Sequence, residues 1–290
     1  MNLNKISLVS AGASMNREIK LYNEVSIYCS ELITKKYSSS FSLGITTLHR
    51  SIHKHIYSIY GFVRFADEIV DTFHDLNKEK VLNKFEEDTF ESIKNNFSTN
   101  PVLHSFQIVV NKFKIDHKHI KAFLYSMRMD LTKKTFNNTE YKNYIYGSAE
   151  VVGLMCLKVF CDNEEIYKKL EPYAVSLGSA FQKINFLRDI RSDHEERGRV
   201  YFPNVNFENF TNEEKVDIEN DIEKDFNKAL LGIKKLPSNA RKGVYLSYNY
   251  YRELLNKIKL LDVHKLKSER IRVSNFKKFI IFLSTHIKSI

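Results

Sequence analysis

The sequence predicts an all-α protein, and three observations predict it. Its 290 residues hold only 4 prolines and 9 glycines to interrupt local structure. No proline occurs from Val102 to Glu171. Apolar residues recur at helical spacing along most of the chain, and no strand-and-turn rhythm competes with them. With neither a fixed-period repeat nor a low-complexity linker, a single domain is expected over 16–290. Ahead of it, residues 1–15 read as an extension, disordered or left by cloning or an upstream start. Its apolar run is too short and too polar for a signal peptide.

The expected helices follow in order: Asn16 to Tyr37, His49 to His74, Lys78 to Asn95, Pro101 to Phe113, Lys118 to Leu131, Glu140 to Phe160, Ile166 to Asp193, Glu213 to Lys234, Ala240 to Lys259 and Ser274 to Ile290. The second carries Ile56, Ile59, Phe62, Val63, Ile69 and Val70, residues fit for a core. The seventh sets Leu177, Ala180, Ile184 and Leu187 along one side. Between the seventh and eighth, Ser192 to Asn212 is the longest irregular stretch, rich in asparagine yet holding Tyr201 and Phe202, so it is expected to pack over something. The last helix, VSNFKKFIIFLSTHIKSI with its lead-in, is apolar and basic together. A final core helix with Lys277 and Lys278 in water is the expectation, and a helix resting on a membrane surface is the alternative.

The formal charge of +10 is scattered among acids rather than gathered in a basic block, so nucleic acid is not expected as a partner. Cys29, Cys156 and Cys161 have no metal-type spacing and no pairing pattern, which points to buried thiols in a reducing compartment. No stretch approaches the roughly 20 apolar residues that cross a bilayer. A cytoplasmic protein, at most peripheral to the inner face of the membrane, is the expectation. Its oligomeric state is left open.

Two helices carry charge where apolar residues dominate. In YGFVRFADEIVDTF, Tyr60, Arg64, Asp67 and Asp71 fall within an arc of about 60° at roughly 100° per residue. In FQKINFLRDIRSD, Gln182, Asn185, Asp189 and Asp193 span about 80° by the same arithmetic. Each stripe places two aspartates on successive turns with an arginine close by, Arg64 before Asp67 and Arg188 before Asp189. Carboxylates in this pattern suit hard divalent ions, which take a few protein oxygens and fill the rest of their shell with water and phosphate. Arginine forks on the remaining oxygens would complete a clamp for diphosphate.

With these motifs, YSSSFSLG, YIYGSAEVVG and GRVYFP in the same order and spacing, the chain resembles the phytoene and squalene synthase family, the head-to-head isoprenyl synthases, from about Asn16 onward. The resemblance implies a single-domain all-α isoprenoid synthase fold with a central cavity between helices. It implies a transferase that joins two allylic prenyl diphosphates through a cyclopropylcarbinyl diphosphate. Asp67, Asp71, Asp189 and Asp193 would hold Mg²⁺, with Mn²⁺ as the other candidate ion. Arg64, Arg188, Gln182 and Asn185 would meet diphosphate or metal, and Ser40 and Phe41 would border substrate. Tyr60, Tyr146 and Tyr251 would lie near carbocations, and Arg270 would touch diphosphate.

The first expectation is phytoene from two geranylgeranyl diphosphates, with no nicotinamide. Squalene or dehydrosqualene from farnesyl diphosphate is the first alternative, and a silent assembly or lipid-binding protein is the second. Two positions depart from the family pattern. Lys183 stands where a small or apolar residue is usual, flanking the cavity or snorkelling outward, and Glu68 stands where a second aspartate is common. His49, His53 and His55 are read as surface or mouth histidines rather than a metal site.

Overall fold

The computed structural model describes residues 3–287, with side chains described for 16–38 and 41–285. The expected extension, 1–15, lies outside the described side chains. The helices are α1 (Leu3–Tyr37), α2 (Ser39–Thr46), α3 (Arg50–Asp71), α4 (Lys78–Asn95), α5 (Pro101–Phe113), α6 (His117–Thr132), α7 (Asn138–Ile145), α8 (Val151–Phe160), α9 (Glu164–Arg197), α10 (Asn212–Ile233), α11 (Ser238–Lys259), α12 (Val263–Ser268) and α13 (Asn275–Ile287). A π-helical turn, Tyr146–Glu150, joins α7 to α8. Among the described residues no strand forms. One isolated bridge, Thr135 to Val200, is the nearest approach to a sheet.

Several helix starts are written in the sequence. Asn100 caps α5 through Val102 and Leu103, with Pro101 in the first turn, where a missing N–H does no harm. Asn137 with Glu140, and Thr211 with Glu214, form reciprocal capping boxes at α7 and α10. Asn163 caps α9, whose first turn adds Glu164 and Glu165 at the positive end of the helix dipole. At the other end of α9, Gly198 takes φ +64°, a conformation open to glycine, and turns the chain back.

The structure departs from the sequence reading in five places. Helix α1 begins at Leu3 rather than at Asn16. The serine-rich YSSSFSLG forms α2, started by the Ser38 side chain accepting from the Phe41 amide at 3.3 Å. A short α12 follows α11. The single helix expected over Glu140 to Phe160 is interrupted by the π turn, and α9 runs on to Arg197, so the irregular stretch begins only at Gly198.

A large core fills the space between most of the helices and includes Phe62 of α3, and a smaller cluster, Leu246, Tyr250 and Ile281, lies between α11 and α13. The Phe62 ring stacks on Phe106 of α5 at 3.9 Å and lies 5.5 Å from Phe85 of α4 and Phe123 of α6. That packing fixes the rotation of α3 and so decides where its ionic stripe points. On the opposite side, α9 lies close against the π turn. A β-carbon added at Gly178 would stand 2.9 Å from both the Ala149 carbonyl oxygen and the Glu150 α-carbon, so only glycine allows this approach. Helices α3 and α9 thereby flank a central cavity that α2, α8, α10 and α11 close.

Candidate active site

The cavity has two joined chambers. The polar one, about 650 Å³, is lined by both ionic stripes. The apolar one, about 330 Å³, runs inward between Phe41, Ile45, Ile56, Leu157, Leu177 and Val244. Val63, Asp67, Ser148, Gln182 and Asn185 line both, so they stand at the junction.

Arg197, in the last turn of α9, ties the two stripes together. Its guanidinium lies 3.0 Å from Asp193 on its own helix and 3.5 Å from Asp71 on α3. The second motif continues the pattern: Arg188 forks onto Asp189 beside it, and Arg270 reaches Asp189 at 2.8 Å. On α3, Arg64 pairs with Glu68, lies 3.8 Å from Asp67 and sits under the Tyr37 ring at 4.5 Å. Glu68 thus faces Arg64 rather than extending the aspartate stripe.

Lost solvation pushes the Asp67 carboxyl up to about 7, with Arg64 opposing the rise and Asp71 and Asp130 adding to it. Burial, reinforced by Asp189 and resisted by Arg197 and Arg199, likewise pushes Asp193 to about 7. Lost solvation is the main cause of both rises, and a cation held directly between such carboxylates would favour their ionised form.

The residues suit Mg²⁺ in type: carboxylate oxygens from facing helices, one or two for each ion. Among the described residues, however, no three metal-ligating side chains gather closely enough to enclose an ion unaided. Water and phosphate oxygens would have to supply the remaining positions, which is how Mg²⁺ is commonly held. Two buried polar atoms point the same way: Arg64 Nε and Ser148 Oγ have no hydrogen-bond partner, and both belong to residues on the chamber walls.

Aromatic pairs stand along the apolar chamber. Phe41 stacks on Tyr60 with centroids 4.5 Å apart, and Phe181 stacks on Tyr251 at 3.8 Å. Tyr251 donates to the Asn185 side-chain oxygen at 3.3 Å. Burial raises the Tyr60 phenol to about 12, with Asp67 and Tyr251 close enough to contribute. The phenol therefore stays neutral, and its ring face can support positive charge without attacking it.

Of the sequence-predicted residues, Tyr60, Phe41 and Tyr251 line the apolar chamber, whereas Arg64, Asp71, Arg188, Asp189, Asp193 and Arg270 line the polar one. Asp67, Gln182 and Asn185 line both. The Ser40 side chain lies outside those described. Tyr146 is a correction. It is 36% exposed, lines neither chamber, and has Lys118, Glu150 and Glu171 as charged neighbours. The physical reason is rotation: Tyr144 and Ser148, one turn apart, face the chamber, and Tyr146 lies about 200° around the helix from Tyr144.

Tyr144 belongs to a buried network that sequence reasoning did not assign. Its hydroxyl donates to Asp130 at 2.6 Å, and the Tyr201 hydroxyl donates to the other Asp130 oxygen at 3.0 Å. Arg199 reaches Asp130 at 3.3 Å and Asp71 at 3.7 Å, and donates to the Asp130 backbone carbonyl at 2.6 Å. The Gly198 turn makes this possible by folding GRVYFP back under the chamber. Burial sets Asp130 at about 6, against the pull of Arg199. An aspartate among the apolar residues of MRMDL and the arginine and tyrosine of GRVYFP were the available signals.

Lys183 also departs from expectation. It neither flanks the cavity nor snorkels outward; it is 8% exposed and turned toward α10, bonding Asp225 at 2.8 Å and Asp221. His55 is buried beside Lys112, not at a surface or mouth. The three cysteines are free and half-buried, with Cys156 on the apolar chamber wall.

Comparison with known proteins agrees with this geometry. Residues 34–277 match the family model described as squalene/phytoene synthase. The chain is 27% identical over 294 residues to a chloroplastic phytoene synthase of Solanum lycopersicum, covering 93% of this chain and 69% of that one. It is 24% identical over 285 residues to the 4,4'-diapophytoene synthase of Staphylococcus haemolyticus, covering 88% and 94%. Among solved structures, a dehydrosqualene synthase in complex with ligand superposes with a TM-score of 0.77 at 21% identity, over 91% of this chain and 96% of that one. The fold is the all-α isoprenoid synthase fold.

Proposed function

This chain belongs to the squalene/phytoene synthase family, and from that premise we propose that it condenses two geranylgeranyl diphosphates head to head into phytoene, with Mg²⁺ bound at the paired aspartates. The observation that carries the reading is the junction: a chamber of facing carboxylates and arginines opens directly onto an apolar one. Charged head and greasy tail of one substrate find opposite environments on either side of Asp67, Ser148, Gln182 and Asn185.

Bound Mg²⁺ would neutralise diphosphate and ease its departure. The chain's own residues do the rest. Arg64, Arg188 and Arg270 offer fixed forks to phosphate oxygens. The stacked Tyr60 and Tyr251 present ring faces to positive charge in the cyclopropylcarbinyl stage, and the apolar walls exclude the water that would trap a cation as an alcohol. Along α9, Leu170 to Asn185 runs for about 22 Å at 1.5 Å per residue, room for a long polyprenyl tail. A C20 substrate is favoured over C15 because the plant relative named above is a phytoene synthase.

The test is product analysis of the purified chain with Mg²⁺ and either geranylgeranyl or farnesyl diphosphate, without and then with NADPH. Phytoene from geranylgeranyl diphosphate alone is expected. A C30 product from farnesyl diphosphate, with none from the longer substrate, would reassign the chain to the squalene or dehydrosqualene branch.

A further inference from the structure

The segment between α12 and α13 borders the polar chamber as an extended strap. Glu269 at its start has φ −142° and ψ 150°, and no helix resumes before Asn275. In extended backbone, successive side chains point to opposite sides. Ile271 enters the core at 7% exposure and Val273 packs against that core, so Arg270 and Arg272 turn the other way and line the chamber. The strap is held along its length: Arg191 of α9 donates to the Ser268 carbonyl, and Lys257 of α11 donates to the Arg272 carbonyl at 3.0 Å. Beyond it, α13 packs Ile281 on Leu246 and Tyr250 of α11. Phe276, Phe279, Ile280 and Leu283 face outward, so only one side of the expected core helix is core.

Arginines line this chamber densely, and most of them already hold an acid. Arg64, Arg188, Arg191, Arg197, Arg199 and Arg270 each form an ion pair with a carboxylate, Arg188 and Arg270 sharing Asp189. Arg272 pairs with none of the described carboxylates, although Asp189, Asp193, Glu195 and Glu196 line the same chamber. A phosphate that takes one of the paired forks must first displace its carboxylate, so the gain is a difference between two charge-assisted contacts. Arg272, exposed to solvent, gives up only water. Positive charge also gathers at this point. Burial lowers the Lys278 amine, and the Arg272 guanidinium adds to the fall. The Lys257 amine stands at the Arg272 carbonyl.

We propose that Arg272 is a diphosphate anchor at the rim of the polar chamber, an arginine fork held ready for the phosphate oxygens of a substrate headgroup. This rests on the prenyl-diphosphate reading and deepens it, because two headgroups must be seated in one chamber. Arg272 takes its share without breaking an ion pair of the protein.

Calorimetric titration of the full chain with inorganic diphosphate tests this. At low salt and without Mg²⁺, the wild type should bind weakly, and Arg272→Gln should bind about tenfold more weakly still, on the scale of a charge-assisted hydrogen bond. Arg272→Lys keeps the charge but loses the fork and should recover only part of the affinity. Lys20→Gln on α1 removes the same charge outside the chamber and should change nothing. With Mg²⁺ and a prenyl diphosphate, Arg272→Gln should raise KM about tenfold and leave kcat within about twofold, because the contact is made in substrate and transition state alike. Diphosphate bound equally well by Arg272→Gln, or lost as much in Lys20→Gln, would overturn the proposal. So would a fall confined to kcat. Diphosphate binding that depends on Arg272, without product from farnesyl or geranylgeranyl diphosphate, would reject the reaction and keep the anchor.

Discussion

Single residues of the site carry charge against the cost of lost solvation. Burial pushes Asp67 and Asp193 up to about 7, well above an ordinary aspartate. A carboxyl raised in this way holds more protons folded than unfolded between its two pKa values, so these groups reduce stability as pH rises from about 4 to about 7. A bound cation must displace those protons. Mg²⁺ added below about pH 7 should therefore release protons, and the release should fade at higher pH; calorimetry in buffers of different ionisation enthalpy would show it, and buffer-independent heats would contradict it. The Tyr144 and Tyr146 pair gives a sharper contrast. Tyr144→Phe removes a donor to buried Asp130 and should lower turnover at least about tenfold, on the scale of a hydrogen bond to a charged group. Tyr146→Phe, altering a ring outside both chambers, should leave turnover within about twofold. The sequence showed a tyrosine in this segment but not which one, because choosing between positions two residues apart requires the helix rotation.

At the scale of elements, α3 and α9 are precise because their other faces are locked. Phe62 stacks among Phe85, Phe106 and Phe123, and Phe62→Ala should cost about 3–5 kcal/mol, read as a lowered urea midpoint with unchanged slope. Lys183 locks α9 to α10. Lys183→Met leaves Asp225 and Asp221 together without their cation and should cost about 2 kcal/mol, and adding Asp225→Asn should recover part of it. Strict additivity of the two substitutions in denaturant melts would remove this interaction from the account. The long helices were legible because periodicity, sparse proline and motif spacing agree over many residues. Short α2 and α12 were not, since a serine-rich segment reads as loop until a neighbouring helix buries its apolar side. The π turn escaped as well: its position depends on Gly178 of α9 approaching Ala149, a contact between segments about 30 residues apart.

At the scale of the whole molecule, both ionic stripes could be read from sequence, and so could the idea that they share a ligand. Their second layer could not. Asp130, Arg197, Arg199 and Tyr201 come together only after α9 ends at Gly198 and the chain doubles back toward α6. Arg197 then bridges the two helices, holding Asp71 and Asp193 in one site. The proposed reaction requires both stripes together. Equilibrium binding of a non-reactive prenyl diphosphate analogue, followed by calorimetry with and without Mg²⁺ in the wild type, Asp67→Asn and Asp189→Asn, tests this. Metal-dependent binding that falls by about two orders of magnitude in each variant, with far-UV circular dichroism unchanged, is the predicted result. Wild-type affinity retained in either variant, or affinity indifferent to Mg²⁺, would contradict it.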